Sequence, residues 1–254
     1  MIEKMKKVKS ILISQPKPSG KSPYALIKQK HNLKIDYRPF MHVDEISTQE
    51  FRKQRISILN HDAVIFTSKN AMDHYFGMME KLRLRIPDFT KYFCVSDAIA
   101  HYLQNFINYR KRKVFTGEQT LVSLIPVMQK HPESKFLFPC SDVLKKQKHT
   151  SLEESGLDFT KAQMYKVSCS DLSDLSDVKY DVLVFFSPTG VKSLLENFPG
   201  FEQGETRLAV FGSTTIKSVE ENGLRVDISA PNKKAPSMSM ALDQYIKQAN
   251  KRIR

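Results

Sequence analysis

Ser187, Thr189 and Gly190 stand directly after an apolar run, 182–186, and before a helical pattern of Val191, Leu194, Leu195 and Phe198. Other stretches have the same form. Thr67 and Ser68 follow 63–66, Ser96 follows 92–95, and Gly212, Ser213, Thr214 and Thr215 follow 208–211. Small hydroxyl residues and glycine at a strand-to-helix junction suit one kind of chemistry. Their hydroxyls and the unpaired N–H groups of a helix start can hold an anion. The same residues also serve as helix caps, and Pro188 after Ser187 fits the first helical position. At this point both readings stand.

The elements that must position these residues are legible in the pattern. The apolar runs are unbroken and of strand length, which marks strands buried on both faces of a parallel sheet. Ligands bind beyond the carboxyl ends of such strands. Asp62 and Asp181 open matching stretches, with Phe66 answering Phe185 and Ser68 answering Ser187, at an offset of 181 − 62 = 119. Ser96 and Gly212 repeat at 212 − 96 = 116. Two pairs at nearly one spacing imply two related α/β domains.

Further strands are expected at 10–14, 33–37, 113–117, 136–142, 162–167 and 225–230, and helices from 24, over 46–58, 121–128 and 152–156, and across 241–246. The block after residue 170 lacks a first strand, and 10–14 can supply it. The expected architecture is therefore a discontinuous α/β domain, 1–36 plus 169–254, with a second, 38–166, inserted in it. Crossings near 35–39 and 164–169 would pair as a two-stranded hinge, with the active site in the cleft between the domains. The terminal residues 251–254 are expected to fray.

Composition narrows the function. The chain has 254 residues, 41% of them hydrophobic, enough for real cores. Cys94, Cys140 and Cys169 show no metal-ligand spacing and read as reduced thiols in the cytoplasm. The apolar run near the N-terminus is too short for a signal peptide or a membrane span. The net charge of +13 gathers in clusters at 4–9, 110–113, 145–148 and 251–254. No nucleic-acid motif accompanies them, and the aromatic residues follow core periodicities. A small polyanionic substrate accounts for the charge as well as a nucleic acid does.

Taken together, the order and spacing of Ile65-Phe66-Thr67-Ser68, Tyr165, Phe186-Ser187-Pro188-Thr189-Gly190, Phe211-Gly212-Ser213-Thr214-Thr215, Gly223-Leu224 and Ala230-Pro231 resemble the uroporphyrinogen-III synthase family over nearly the whole chain. There are departures. The family's Gly-Pro-Thr-Thr-Ala is Gly212-Ser213-Thr214-Thr215-Ile216, Gln15 stands where the family often has Arg, and Ser96 is the inserted domain's counterpart of Gly212. These bear on which side chains grip the substrate.

The resemblance implies a cyclising lyase of haem biosynthesis. Its substrate is hydroxymethylbilane, supplied by hydroxymethylbilane synthase, and it carries an acetate and a propionate on each pyrrole ring. The family needs no cofactor, because the pyrrole nitrogens stabilise the cationic intermediates. The sequence shows no dinucleotide or Walker glycine loop and no metal-ligand cluster. On this reading Thr67, Ser68, Ser96, Ser187, Thr189, Gly190, Thr214 and Thr215 bind carboxylates. Tyr165 is the candidate acid, since a phenol with pKa about 10 is protonated at neutral pH. As a plain structural residue, Tyr165 would be a partly buried strand tyrosine with one hydrogen-bond partner. A monomer, no membrane and no nucleic acid are expected. The alternatives are a non-catalytic tetrapyrrole- or polycarboxylate-binding module of the same fold and a basic nucleic-acid binder.

Overall fold

The computed structural model describes residues 6–146, 149–176 and 179–250. The expected fraying at 251–254, and parts of the basic clusters at 4–9 and 145–148, lie outside the described residues. In chain order the elements are β1 Ser10–Ile13, α1 Ala25–His31, β2 Lys34–Tyr37, β3 Met41–Glu45, α2 Thr48–Arg52, β4 Ala63–Phe66 and α3 Lys69–Lys81. There follow β5 Lys91–Cys94, α4 Asp97–Tyr102, β6 Val114–Thr116, α5 Leu121–Met128, β7 Phe136–Ser141, α6 Asp142–Lys146, α7 Thr150–Glu153 and β8 Phe159–Cys169. The chain ends with β9 Val182–Phe185, α8 Pro188–Asn197, β10 Arg207–Phe211, α9 Ser213–Glu221, β11 Ile228–Ala230 and α10 Met238–Ala249.

These elements form two compact units. One takes the residues up to His42 and those from Ser168 onward, and the other takes Val43–Val167. The first unit has a five-stranded sheet in the order β11-β10-β9-β1-β2, with every pairing parallel. Ile11, Ile13, Val182 and Val184 face α1 and α10, where Ile27, Leu242 and Ile246 meet them. Leu12, Leu183, Phe185 and Val210 face Val191 and Leu194 of α8 and Val219 of α9. Every residue of β9 is buried, which explains why its sequence shows no alternation.

In the second unit the sheet order is β3-β8-β7-β4-β5-β6. The pairings β8-β7, β7-β4, β4-β5 and β5-β6 are parallel. Val64, Phe66, Tyr92 and Met164 pack beneath Met72, Tyr75 and Met79 of α3, while Ala63, Ile65, Phe93 and Phe138 pack against Leu124 and Met128 of α5 and Leu152 of α7. Apart from β3, the strands correspond one to one with those of the first unit: β4 to β9, β5 to β10, β6 to β11, β7 to β1 and β8 to β2.

The paired aspartates of the repeat have one job. Asp181 Oδ2 accepts from the N–H groups of Lys9 and Ser10 at 2.8 and 2.9 Å, tying the amino end of β1 to that of β9. Asp62 Oδ1 accepts from Lys135 N–H at 2.7 Å and does the same for β7 and β4. Each aspartate's carbonyl then accepts from the next strand over, Asp181 from Arg207 N–H at 3.0 Å and Asp62 from Lys91 N–H at 2.8 Å.

Several expectations need correction. Residues 46–58 do not form one helix. α2 is short, capped by Ser47, and the left-handed Arg55 (φ 56°) stops any continuation. β3 has no strong apolar signal, since all its residues are at least partly exposed, and it went unexpected. The strand expected at 33–37 is present as β2, which pairs with β1 inside the first sheet because Ile35 faces its core.

Burial alone would raise the Asp181 carboxyl pKa, but the N–H groups of Lys9 and Ser10, the Ser10 hydroxyl and the charge of Arg207 outweigh it and hold the pKa below the ordinary value. Such a group stabilises the fold above its unfolded pKa, and that contribution is lost as pH falls through the folded one. Asp181→Ala should therefore cost about 1–3 kcal/mol at neutral pH. The gap between variant and wild type should narrow below pH ~4. Chemical denaturation at several pH values checks this, and a pH-independent gap would contradict it.

Candidate functional site

Numbered within the first unit, the strands run 2-1-3-4-5 across the sheet. Such an order reverses direction between β1 and β9, and ligands of open α/β sheets bind at that reversal, beyond the carboxyl ends. Ser14 follows β1 there and Ser187 follows β9. Ser187 Oγ accepts from Gly190 N–H at 3.2 Å, so the serine caps α8 with Pro188 at its first turn. A Cβ on Gly190 would lie 3.6 Å from Ser187 Oγ and 3.8 Å from Ser14 Oγ, so these three residues meet. Ser14 is buried and Gln15 beside it is exposed.

The next strand, β10, ends differently. Gly212 adopts φ 88°, a conformation natural to glycine, and no side chain caps α9. The first-turn N–H groups of α9 therefore have no capping side chain, unlike those of α8. Ser213 and Thr214 are exposed, whereas Thr215 is only 1% exposed and points its side chain into the unit. Any anion met by Thr215 would be met through its backbone N–H. Gly190 N–H already serves Ser187, while Thr189 remains partly exposed.

The second unit repeats the arrangement. Its reversal lies between β7, which ends in Ser141, and β4, which is followed by Thr67-Ser68. Ser68 Oγ caps α3 by accepting from Ala71 N–H at 3.1 Å, and Ser96 Oγ caps α4 by accepting from Ile99 N–H at 3.4 Å. Ser96 has an extended backbone (φ −156°), so replacing the glycine of the other unit turns an open helix start into a capped one. Thr67 Oγ1 is buried without a hydrogen-bond partner. An unpaired buried hydroxyl is costly, and this one stands at the carboxyl end of β4.

Tyr165 joins this group through an irregularity. Cys140 pairs with Gln163, but Ser141 pairs with Tyr165, so the register slips by one residue. A strand without the bulge would send Met164 and Tyr165 to opposite faces. With it, both enter the same core cluster as Ala162. Tyr165 is 4% exposed and lies against the imidazole of His74, with ring centroids 4.9 Å apart and planes at 22°, and its hydroxyl is near enough to the Ser68 side chain for that residue to affect its pKa.

Burial raises the Tyr165 pKa above the usual phenol value, with smaller contributions from Cys140 and Asp142, while the Ser68 hydrogen bond opposes them. His74 is pushed down, chiefly by burial and slightly by Lys81, against the pull of Glu45 and Asp73. Tyr102 donates to Asp73 at 2.8 Å and the Lys69 ammonium sits 4.9 Å over its ring, a cationic flank beside the start of α3.

Thus the structure gathers Thr67, Ser68, Ser96 and Tyr165 at one end of the second unit's sheet, and Ser187, Thr189, Gly190, Thr214 and Thr215 at the equivalent end of the first. Sequence reasoning missed Ser14, Ser141 and His74. The serines carried a signal, since each closes the apolar run of a corresponding strand. His74 carried none, because its partner is remote in sequence. A cavity of about 840 Å³ in the first unit is lined by Tyr180, Asp181, Phe198, Phe201 and Glu205, and holds none of the candidate residues.

Comparison with known proteins places this architecture. The family model for uroporphyrinogen-III synthase HemD matches residues 27–239. No curated protein matches the chain. Among solved structures, the chain is similar to uroporphyrinogen-III synthetase from Helicobacter pylori 26695, with 19% identity over 94% of this chain and 99% of that one and a TM-score of 0.58. It is also similar to a mutant uroporphyrinogen III synthase from the extremely thermophilic bacterium Thermus thermophilus, with 15% identity, 95% and 98% coverage and a TM-score of 0.54. At these identities the structural likeness speaks for the fold, whereas the family match spans most of the sequence. This chain belongs to the uroporphyrinogen-III synthase HemD family.

Proposed function

We propose that the protein is a uroporphyrinogen-III synthase, converting hydroxymethylbilane to the cyclic tetrapyrrole with inversion of the last ring. The observation that carries this reading is the family match over residues 27–239. The chemistry of the strand ends supports it. The substrate is a flexible polyanion whose two ends must meet, which is a proximity problem. The open start of α9, the exposed hydroxyls of Ser213 and Thr214 and the partly exposed Thr189 are suited to carboxylates.

In the first step the terminal hydroxyl leaves as water. Tyr165 supplies the proton, and the pyrrole nitrogen supplies the electron pair that forms the azafulvene. The neighbouring Ser68 side chain favours the phenolate left behind. The azafulvene carbon is attacked by the substituted carbon of the last ring, giving a spiro intermediate. This breaks and rejoins with that ring inverted. Ring closure releases a proton from carbon, which restores the phenol, so the net change is loss of one water. A second reading, a binding module without turnover, draws on the near-complete burial of Tyr165.

Product analysis separates these readings. Hydroxymethylbilane generated in situ and treated with the protein should give type III porphyrin after oxidation, well above the protein-free control. Type I alone from folded protein would overturn the enzyme reading, and bilane binding without turnover would favour the module.

Tyr165→Phe should lower kcat on the order of 100-fold, the weaker end of general acid catalysis, with KM little changed. An unchanged kcat would remove Tyr165 from the chemistry. Because burial raises its pKa, the wild-type rate should show no alkaline decline from Tyr165 below pH ~10.

Thr214 and Thr215 should separate binding from folding. Thr214→Val, at an exposed hydroxyl, should raise KM several-fold without lowering stability. Thr215→Val should leave KM unchanged and shift stability by about 1 kcal/mol or less. Steady-state kinetics with thermal melts would test this, and a KM effect confined to Thr215→Val would contradict the assignment.

A further inference from the structure

We propose that His74 is a positioning residue for Tyr165, an inference that rests on the reading of Tyr165 as the proton donor. Three constraints converge on that phenol. The bulge between Cys140 and Ser141 turns it onto the same face as Met164. The Ser68 side chain stands beside its oxygen. The imidazole of His74 covers one face of its ring at 4.9 Å, nearly parallel.

Ser68 and His74 both belong to α3, one as its cap and the other within its early turns. A single helix thus carries both the hydroxyl beside the oxygen and the ring that covers the phenol's face. The bulge alone does not fix that plane, because a tyrosine ring can still turn about its own bonds. A flat, close-packed neighbour removes that freedom, and near-parallel rings at this separation attract.

The groups around His74 keep the stack in one form. Asp73 and Lys81 share its helix, Glu45 approaches from β3, and Tyr165 faces it from β8. Glu45 is paired with Lys81, and Asp73 accepts from Tyr102, so each acid near the imidazole already has a partner. Burial then favours neutral His74, which stacks without a hydration shell to displace. His74 is itself only partly buried, so it forms the outer layer that keeps water off the Tyr165 ring.

The test uses His74→Ala, His74→Leu and His74→Phe in the full-length protein. His74→Leu fills the volume without a planar ring and serves if His74→Ala does not fold. Losing the stack should lower kcat about tenfold with KM within about twofold, while His74→Phe should stay near wild type. NMR titration of tyrosine labelled at Cζ, assigned by Tyr165→Phe, gives a readout independent of turnover. The Tyr165 midpoint should fall towards the ordinary phenol value in the Ala and Leu variants and stay high in the Phe variant. Wild-type kinetics in His74→Leu, or a Phe variant as slow as the Leu variant, would overturn the proposal. If the wild-type protein makes no type III product, the enzyme reading fails separately and the titration decides. A midpoint unmoved in His74→Leu would then overturn the positioning role.

Discussion

Burial of both faces of the central parallel strands in two sheets is the constraint on which the rest of the structure depends. Every side chain of β4 and β9 is inside, so no polar residue can sit within these strands without cost. Polar groups are displaced to the strand ends. At the amino ends, Asp62 and Asp181 use them to tie neighbouring strands together. At the carboxyl ends, the chain must start helices whose first N–H groups need partners. Ser68, Ser96 and Ser187 supply capping oxygens, and Gly212 leaves the fourth helix start without one. One end of each sheet therefore staples the fold, and at the other end the start of α9 keeps its first donors free of a capping side chain.

The two units obey this rule with different emphasis. In the first, the glycine at the head of α9 frees donors, which suits recognition of an anion. In the second, serine caps both corresponding helices, and the distinctive features are instead a buried tyrosine brought inward by a bulge and an unpaired threonine hydroxyl. The two units are thus equivalent scaffolds whose ends differ in chemistry. The Ser96 departure from glycine is part of that divergence, because it closes a helix start that the other unit keeps open.

Much of this was legible in sequence for physical reasons. Strands buried on both faces show as unbroken apolar runs, and the repeat tied them into corresponding pairs, so β4, β5, β9 and β10 and their helices could be read directly. β3 could not, since its residues are all partly exposed and follow no apolar rule. The stop in α2 depends on a left-handed arginine, which no propensity announces. The site was half legible. Hydroxyls at strand ends were visible, but whether each faces outward is set by tertiary packing, and Thr215 shows how adjacent threonines part company. The alternating pattern around Tyr165 concealed a slipped register, and the contact with His74 joins residues 91 apart (165 − 74) that share no local signal.

The measurement that bears most directly on this account is an amide NMR titration of the folded protein with uroporphyrin III, which carries the carboxylates of the proposed product on a stable ring. Strand-end recognition predicts the largest shifts at 67–71 and 96–99 in one unit and at 187–190 and 213–215 in the other. Shifts centred instead on the cavity beside Tyr180, Phe198 and Phe201, or no shifts at all, would contradict it.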